Sequence, residues 1–210
     1  MGRMRQRQSK DRRTEILEAA ARVITDRGLA ETRISDIAER CGVSPGLILY
    51  YFESKDKLLV EALNQANDQF YLRLSRELRR MDSARDQLER LIELSVPGLL
   101  PEFERLDEWA LWIEIWVRAL RDQNLAKERE ELDRRWRQSI SDIVRRGRST
   151  GEFPEGDDAD DLGLEIGALI DGLAVQVLLH DTTFSPERMR LACLKVAAKL
   201  IGFSLQPATA

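Results

Sequence analysis

A glycine, a serine and a proline at Gly42, Ser44 and Pro45 divide two short apolar-patterned runs, and they limit what can be built around them. Ahead of the glycine, Ile34, Ile37 and Ala38 recur at helical spacing behind Thr32, a candidate N-cap. Gly42 suits a tight turn at positive φ. Ser44 suits the cap of the next helix, and Pro45 its first turn, where a missing N–H costs nothing. The run 32–57 therefore predicts a short helix, a turn and a second helix: the helix-turn-helix layout, placed at about 33–52.

The second helix has two sides. Stepping about 100° per residue from Pro45, Ile48, Leu49 and Phe52 fall together, and Gly46, Leu47, Tyr50 and Tyr51 fall opposite. The first side is expected to close a small core against Ile34, Ile37 and Ala38. The second suits a DNA groove, where Tyr hydroxyls meet phosphates, Leu47 meets thymine methyls and Gly46 permits close approach. Packing of Tyr50 and Tyr51 against neighbouring helices is the plainer alternative. The face carries no Arg, Asn or Gln, so direct base reading by it is expected to be modest.

The segment resembles the DNA-binding domain of the TetR family of bacterial transcriptional regulators. The matching residues are Ile37, Ala38, Gly42, Val43, Ser44 and Gly46, then Tyr51, Phe52, Ser54, Lys55, Leu58 and Leu59. Two positions depart from the family's commonest pattern: Leu49 stands where tyrosine is usual, and Tyr50 where histidine is frequent. The expected interface with double-stranded DNA is Thr32, Arg33, Ser44, Gly46, Leu47, Tyr50, Tyr51 and Lys55. Thr32, Tyr50, Tyr51 and Lys55 are expected on phosphates, and Arg33 is the candidate for a base contact.

Charge is distributed accordingly. The chain has 33 Lys+Arg against 37 Asp+Glu, net −4. Residues 1–60 hold 12 basic against 9 acidic residues, net +3, which leaves 21 against 28, net −7, for the rest. Six basic residues fall in the first 13. A basic end on an acidic body fits local phosphate binding, although a merely solvated tail has the same composition. The N-terminus lacks the apolar run of a secretory signal, and no segment has the apolar length of a membrane span, so a cytoplasmic location is expected. Cys41 and Cys193 read as reduced thiols. One histidine, no metal-ligand cluster, no nucleophile elbow and no phosphate loop argue against an enzyme, a metal site or a cofactor.

Helical periodicity continues through the chain, with no strand alternation. Helices are expected over about 10–27 (stopped by Gly28), 54–80, 83–95, 102–121, 124–147, 158–180 and 185–203. The predicted class is all-α: a three-helix DNA-binding domain over 1–52, then a helical bundle over 53–210 for ligand binding and dimerisation. Residues 103–203 resemble the regulatory domain of the BetI-like branch of TetR proteins. The match rests on the Trp112–Asp122 stretch, the Arg137–Phe153 stretch and Ile170-Asp171-Gly172-Leu173. That resemblance implies a quaternary amine as ligand.

Trp109, Trp112 and Trp116 lie at i, i+3 and i+7 on one face, flanked by Leu106, Ile113, Val117 and Leu120. Core packing accounts for each indole alone. Together they suggest a ligand cavity, to which Phe70, Phe103 and Trp136 could contribute, with Asp171 as a balancing carboxylate or a structural ion-pair partner. Glu114 projects away from this face. The helix around Asp171 is apolar nearly all round, which calls for a second copy of the chain as packing partner. Leu164, Gly167, Ala168, Val175 and Leu178, with Leu191, Leu194 and Ala198 of the last helix, are expected at that interface; Gly163, Gly167, Gly172 and Ala168 would allow close approach. The leading expectation is a homodimeric repressor released from a near-palindromic operator by a small-molecule effector. The alternative is the same fold under a protein partner, or with no small ligand.

Overall fold

A computed structural model describes residues 2–100 and 106–205, excluding the side chains of residues 2–10, 67, 70 and 106–108. Nine helices are present in this range, and no strand: α1 (Gly2–Glu31), α2 (Ile34–Cys41), α3 (Pro45–Phe52), α4 (Lys55–Leu78), α5 (Ala84–Ser95), α6 (Leu106–Ala119), α7 (Gln123–Ser149), α8 (Ala159–Leu178) and α9 (Pro186–Ile201). The all-α expectation holds. The first helix begins well before residue 10, and Gly28 leaves the helical path at φ 74°, ψ 155° inside α1. Phe103, expected in a helix and at the ligand site, lies outside the described residues, as does the side chain of Phe70.

The chain forms two compact units. The first comprises residues 1–70 and 106–130, so α6 is folded in with the N-terminal helices. Its core joins Ile16, Ala20 and Ile24 of α1 to Ile37, Ile48, Phe52, Leu58, Leu59 and Leu63, with Leu111 and Ile115 from α6. Each Ile, Leu or Phe among them stabilises the fold by about 1.5–3 kcal/mol when fully buried. The second unit comprises residues 71–105 and 131–210. Leu88, Leu91 and Ile92 of α5, Ile140 and Val144 of α7, Leu162, Ile166 and Ile170 of α8, and Cys193, Ala197 and Ile201 of α9 form its core.

Several expected faces are corrected. In α3, Ile48 and Phe52 are buried, but Leu49 is 46% exposed. A helix of eight residues has only two positions that can point squarely at one core. In α8 the buried stripe is Leu162, Ile166, Ile170 and Ala174, with Gly163 and Gly167 beside it. Those glycines admit α7 of the same chain, not a partner: a Cβ at Gly163 would stand 2.3 Å from Ser141 Oγ and 2.8 Å from the Arg137 carbonyl. A Cβ at Gly167 would stand 3.3 Å from Trp136 Nε1. Leu194 and Ala198 are also buried within the protomer, so three residues assigned to the dimer face (Gly167, Leu194, Ala198) serve the protomer's own core. Leu164, Ala168 and Leu191 are exposed, and Val175 and Leu178 half-buried.

Both cysteines are free. Burial pushes the Cys193 thiol up to about 12, and burial likewise raises Cys41, whose Sγ donates to the Ile37 carbonyl. His180 sits at φ 57° where α8 ends.

Candidate nucleic-acid interface and effector site

The helix-turn-helix is assembled from α2 and α3. Gly42 adopts φ 65°, ψ 36° and its N–H returns to the end of α2, where the turn requires the left-handed region. Ser44 caps α3, its Oγ accepting from Leu47 N–H at 3.3 Å, and Pro45 occupies the first turn. From Ser44 to Phe52 there is no charged side chain, so no carboxylate on α3 opposes a phosphate. Tyr50 is 80% exposed and meets Tyr51 edge-to-face with ring centroids 5.5 Å apart. Tyr51 and Leu47 are half-buried, and a Cβ at Gly46 would meet nothing within 4 Å. The exposed surface of α3 is therefore Pro45, Gly46, Leu49, Tyr50 and the outer edges of Leu47 and Tyr51.

Two of the residues expected on phosphates are engaged inside the protein. Thr32 is 1% exposed, and its hydroxyl donates to the Gly28 carbonyl at 2.8 Å. The N-cap of α2 is Arg33, not Thr32; its backbone N–H donates to Asp36 Oδ2 at 2.9 Å, and its side chain is exposed. Lys55 Nζ donates to the Leu29 carbonyl at 2.8 Å and to the Thr32 carbonyl at 2.9 Å. An ammonium has three donors, so Lys55 keeps one beyond its work at the end of α1. Arg13, counted at the sequence level only as part of a basic tail, is a strut. It pairs with Glu61, donates to the Tyr51 carbonyl at 3.2 Å and lies 4.7 Å from the centre of the Phe52 ring.

The same unit holds α6 and its tryptophans. Trp109 is buried, and Trp116 stands 6.4 Å from it edge-to-face and 6.1 Å from Trp112. The three indoles thus form one cluster. Trp116 Nε1 is buried and meets no hydrogen-bond acceptor among the described residues. A buried N–H without an acceptor costs about 1–3 kcal/mol. Val117 and Leu120 do not flank the cluster as expected; Leu120 is 84% exposed near the end of the helix. Trp136 and Asp171 belong to the second unit, Trp136 on α7 beside Gly167 and Asp171 half-buried on α8.

Opposite the indoles, α6 carries two contacts that sequence reasoning missed. Glu114 Oε1 accepts the Leu29 N–H at 2.8 Å, at the point where Gly28 has turned α1 out of its path. Arg118 pairs with Asp56 in the first turn of α4. The turn from Gly28 to Thr32, which leads directly into the helix-turn-helix, is therefore held from one side by Glu114 and from the other by Lys55. Nothing in the local pattern of α6 announces this, because the partner groups, a backbone N–H and a carboxylate, lie far away in the chain.

Comparison with known proteins agrees with this architecture. Residues 16–62 match the family model of bacterial regulatory proteins of the tetR family, and residues 84–202 match that of the BetI-type transcriptional repressor C-terminal domain. A transcriptional regulator BetI from Proteus mirabilis is 28% identical over 176 residues, 83% of this chain and 84% of that protein. Among solved structures, a transcriptional regulator from Saccharomonospora viridis, in complex with choline, is 35% identical with a TM-score of 0.80, covering 90% of this chain and 96% of that one. A TetR-family regulator from Rhodococcus sp. is 31% identical, also at TM-score 0.80, covering 91% and 99%. The exposed, capped and acid-free helix α3 and these matches lead to one conclusion: the chain belongs to the TetR family of DNA-binding transcriptional regulators, with a BetI-type C-terminal domain.

Proposed function

We propose that this chain is a homodimeric repressor whose hold on DNA is released by a small organic cation bound at the tryptophan cluster of α6. The observation that carries the reading is the double duty of α6. The helix that bears Trp109, Trp112 and Trp116 also bears Glu114 and Arg118, which fasten the Gly28–Thr32 turn and the start of α4. A ligand that shifts α6 relative to its preferred position acts on the reading head through those two contacts, with no longer path required. Indole faces attract cations, most strongly when desolvated. The relative solved with choline supports a quaternary ammonium as the chemical class. Within the interface, Tyr50, Tyr51 and the remaining Lys55 proton set register on phosphates, and Arg33 reaches a base edge.

Dimerisation supplies the second recognition helix, about 34–36 Å away on a near-palindromic site. Leu164, Ala168 and Leu191, with the exposed parts of Val175 and Leu178, make the apolar face that a second copy covers.

The test is fluorescence anisotropy on a labelled duplex from the region upstream of the protein's own gene, with and without choline. Salt-sensitive binding that weakens when choline is added supports the reading. No attraction to any duplex would refute the repressor, and binding indifferent to choline and to related quaternary amines would refute the effector class. Sedimentation of Leu164→Glu/Leu191→Glu should give a monomer; an unchanged dimer would remove this face from the interface.

A further inference from the structure

The reading helix α3 presents an apolar ledge that the phosphate contacts of the interface do not use. Pro45, Gly46 and Leu49 lie at i, i+1 and i+4, so they share one side of the helix, and all three are exposed. Leu49 is 46% exposed although aliphatic. A Cβ at Gly46 would meet nothing within 4 Å, so the described chain leaves the space over this glycine open.

The ledge is held at both ends. Ser44 Oγ accepts the Leu47 N–H at 3.3 Å, and the Leu49 carbonyl accepts the Glu53 N–H at 2.9 Å. Arg13 donates to the Tyr51 carbonyl, and Phe52 anchors the helix in the core. Leucine, proline and glycine carry no side-chain donor for a phosphate oxygen. The next residue along the Pro45–Leu49 row, Glu53, is tied to Lys57. In a major groove, an exposed aliphatic side chain has one matching feature on the base edges: the 5-methyl group of thymine.

We infer that the Pro45–Gly46–Leu49 ledge reads thymine by its methyl group, with Leu49 as the specificity-determining contact and Gly46 as the gap through which the base edge approaches. Resting on the DNA-binding reading, this contact adds a base preference that Tyr50, Tyr51 and Lys55 do not supply, since phosphate contacts carry no sequence information. Burying one methyl against Leu49 in each half-site should change affinity about threefold, and so about tenfold for a dimer on two half-sites. Each half-site should hold a thymine where α3 enters the major groove.

Fluorescence anisotropy is the test, on a duplex selected from a random library by the native protein, with its thymidines either kept or all replaced by deoxyuridine. Uracil pairs as thymine does and lacks only the methyl. The native chain should bind the uracil duplex about tenfold more weakly. Leu49→Ala should bind the two duplexes within about twofold of each other, and with the salt dependence of the native chain, because no phosphate contact is lost. Leu49 lies outside the core, so the variant should fold; should it not, the pair of duplexes on the native chain still tests the methyl dependence. Equal native affinity for the two duplexes would overturn the inference. So would full methyl sensitivity in Leu49→Ala, which would move the contact to Leu47. Sedimentation of Leu49→Ala as a smaller species than the native chain would place the ledge at a protein interface instead. A library from which the native protein enriches nothing would remove the DNA reading itself, whereas equal affinities remove only the ledge.

Discussion

In the first unit Glu114 reaches Leu29 across 85 residues of sequence with one backbone hydrogen bond. In the second, Glu152 reaches back to α5 with several. Its carboxylate accepts from Ser83 Oγ at 2.7 Å, Ala84 N–H at 2.9 Å, Arg85 N–H at 3.4 Å and Thr150 Oγ at 3.0 Å. Both acids close a joint between distant segments, but they differ in how many donors share the load. The donors around Glu152, first among them the Ala84 N–H, hold its carboxyl down to about 2. Phe153 next to it stacks on Phe203 at 5.0 Å, and Arg85 lies over Phe203. The joint at Glu152 is cross-braced by rings and cannot give in one place. The joint at Glu114 has one side-chain hydrogen bond beside a positive-φ glycine, alongside the packing of Leu111 and Ile115; under the proposed mechanism it is the polar contact that a shift of α6 would disturb first.

The sharpest way to break the braced joint is steric. A Cβ at Gly147 would stand 2.0 Å from the buried Phe153 ring, so Gly147→Ala should cost about 3 kcal/mol in urea unfolding. Glu152→Ala removes the acceptor from the start of α5 and should cost about 2 kcal/mol by the same measurement. The pH dependence should follow. The folded carboxyl titrates at about 2, below its ordinary 4.5, so its stabilisation is complete above about 4.5 and fades as pH falls toward 2. Glu152→Gln should flatten that part of the stability curve; an identical acid limb in variant and native protein would sink the account.

Smaller effects belong to the yielding joint. Glu114→Ala should cost only about 1 kcal/mol of stability, the worth of one hydrogen bond, while shrinking the choline-induced change in DNA affinity several-fold. A full choline response in that variant would show that Glu114 transmits nothing. Smallest in stability is Tyr50→Ala, within about 0.5 kcal/mol because the ring is exposed. Its anisotropy signature should be a roughly tenfold loss of DNA affinity, about 1.4 kcal/mol; tight binding would remove Tyr50 from the interface.

The helix-turn-helix was legible because its determinants are local. Gly42, Ser44 and Pro45 act on their own backbone neighbours, and Ile37, Ile48 and Phe52 follow a period that one strand of text displays. Leu49 was misplaced because angular counting on an eight-residue helix cannot say how wide the core is. Gly163 and Gly167 were legible as points of close approach, but not the identity of the approaching helix, which proved to be α7 of the same chain. Thr32 and Lys55 were assigned outward because polar side chains near a reading head suit phosphates. The carbonyls they satisfy become available only where α1 ends at the kink.

By itself the order of residues determined the run of helices, the Ser44 cap and the tyrosine-bearing face, since each depends on spacing within a few turns. Only the tertiary structure decided which polar groups remain for DNA, and that α6 belongs with the reading head. Those outcomes turn on pairings between atoms far apart in the chain, where burial decides whether a donor must be satisfied internally or is left for a partner.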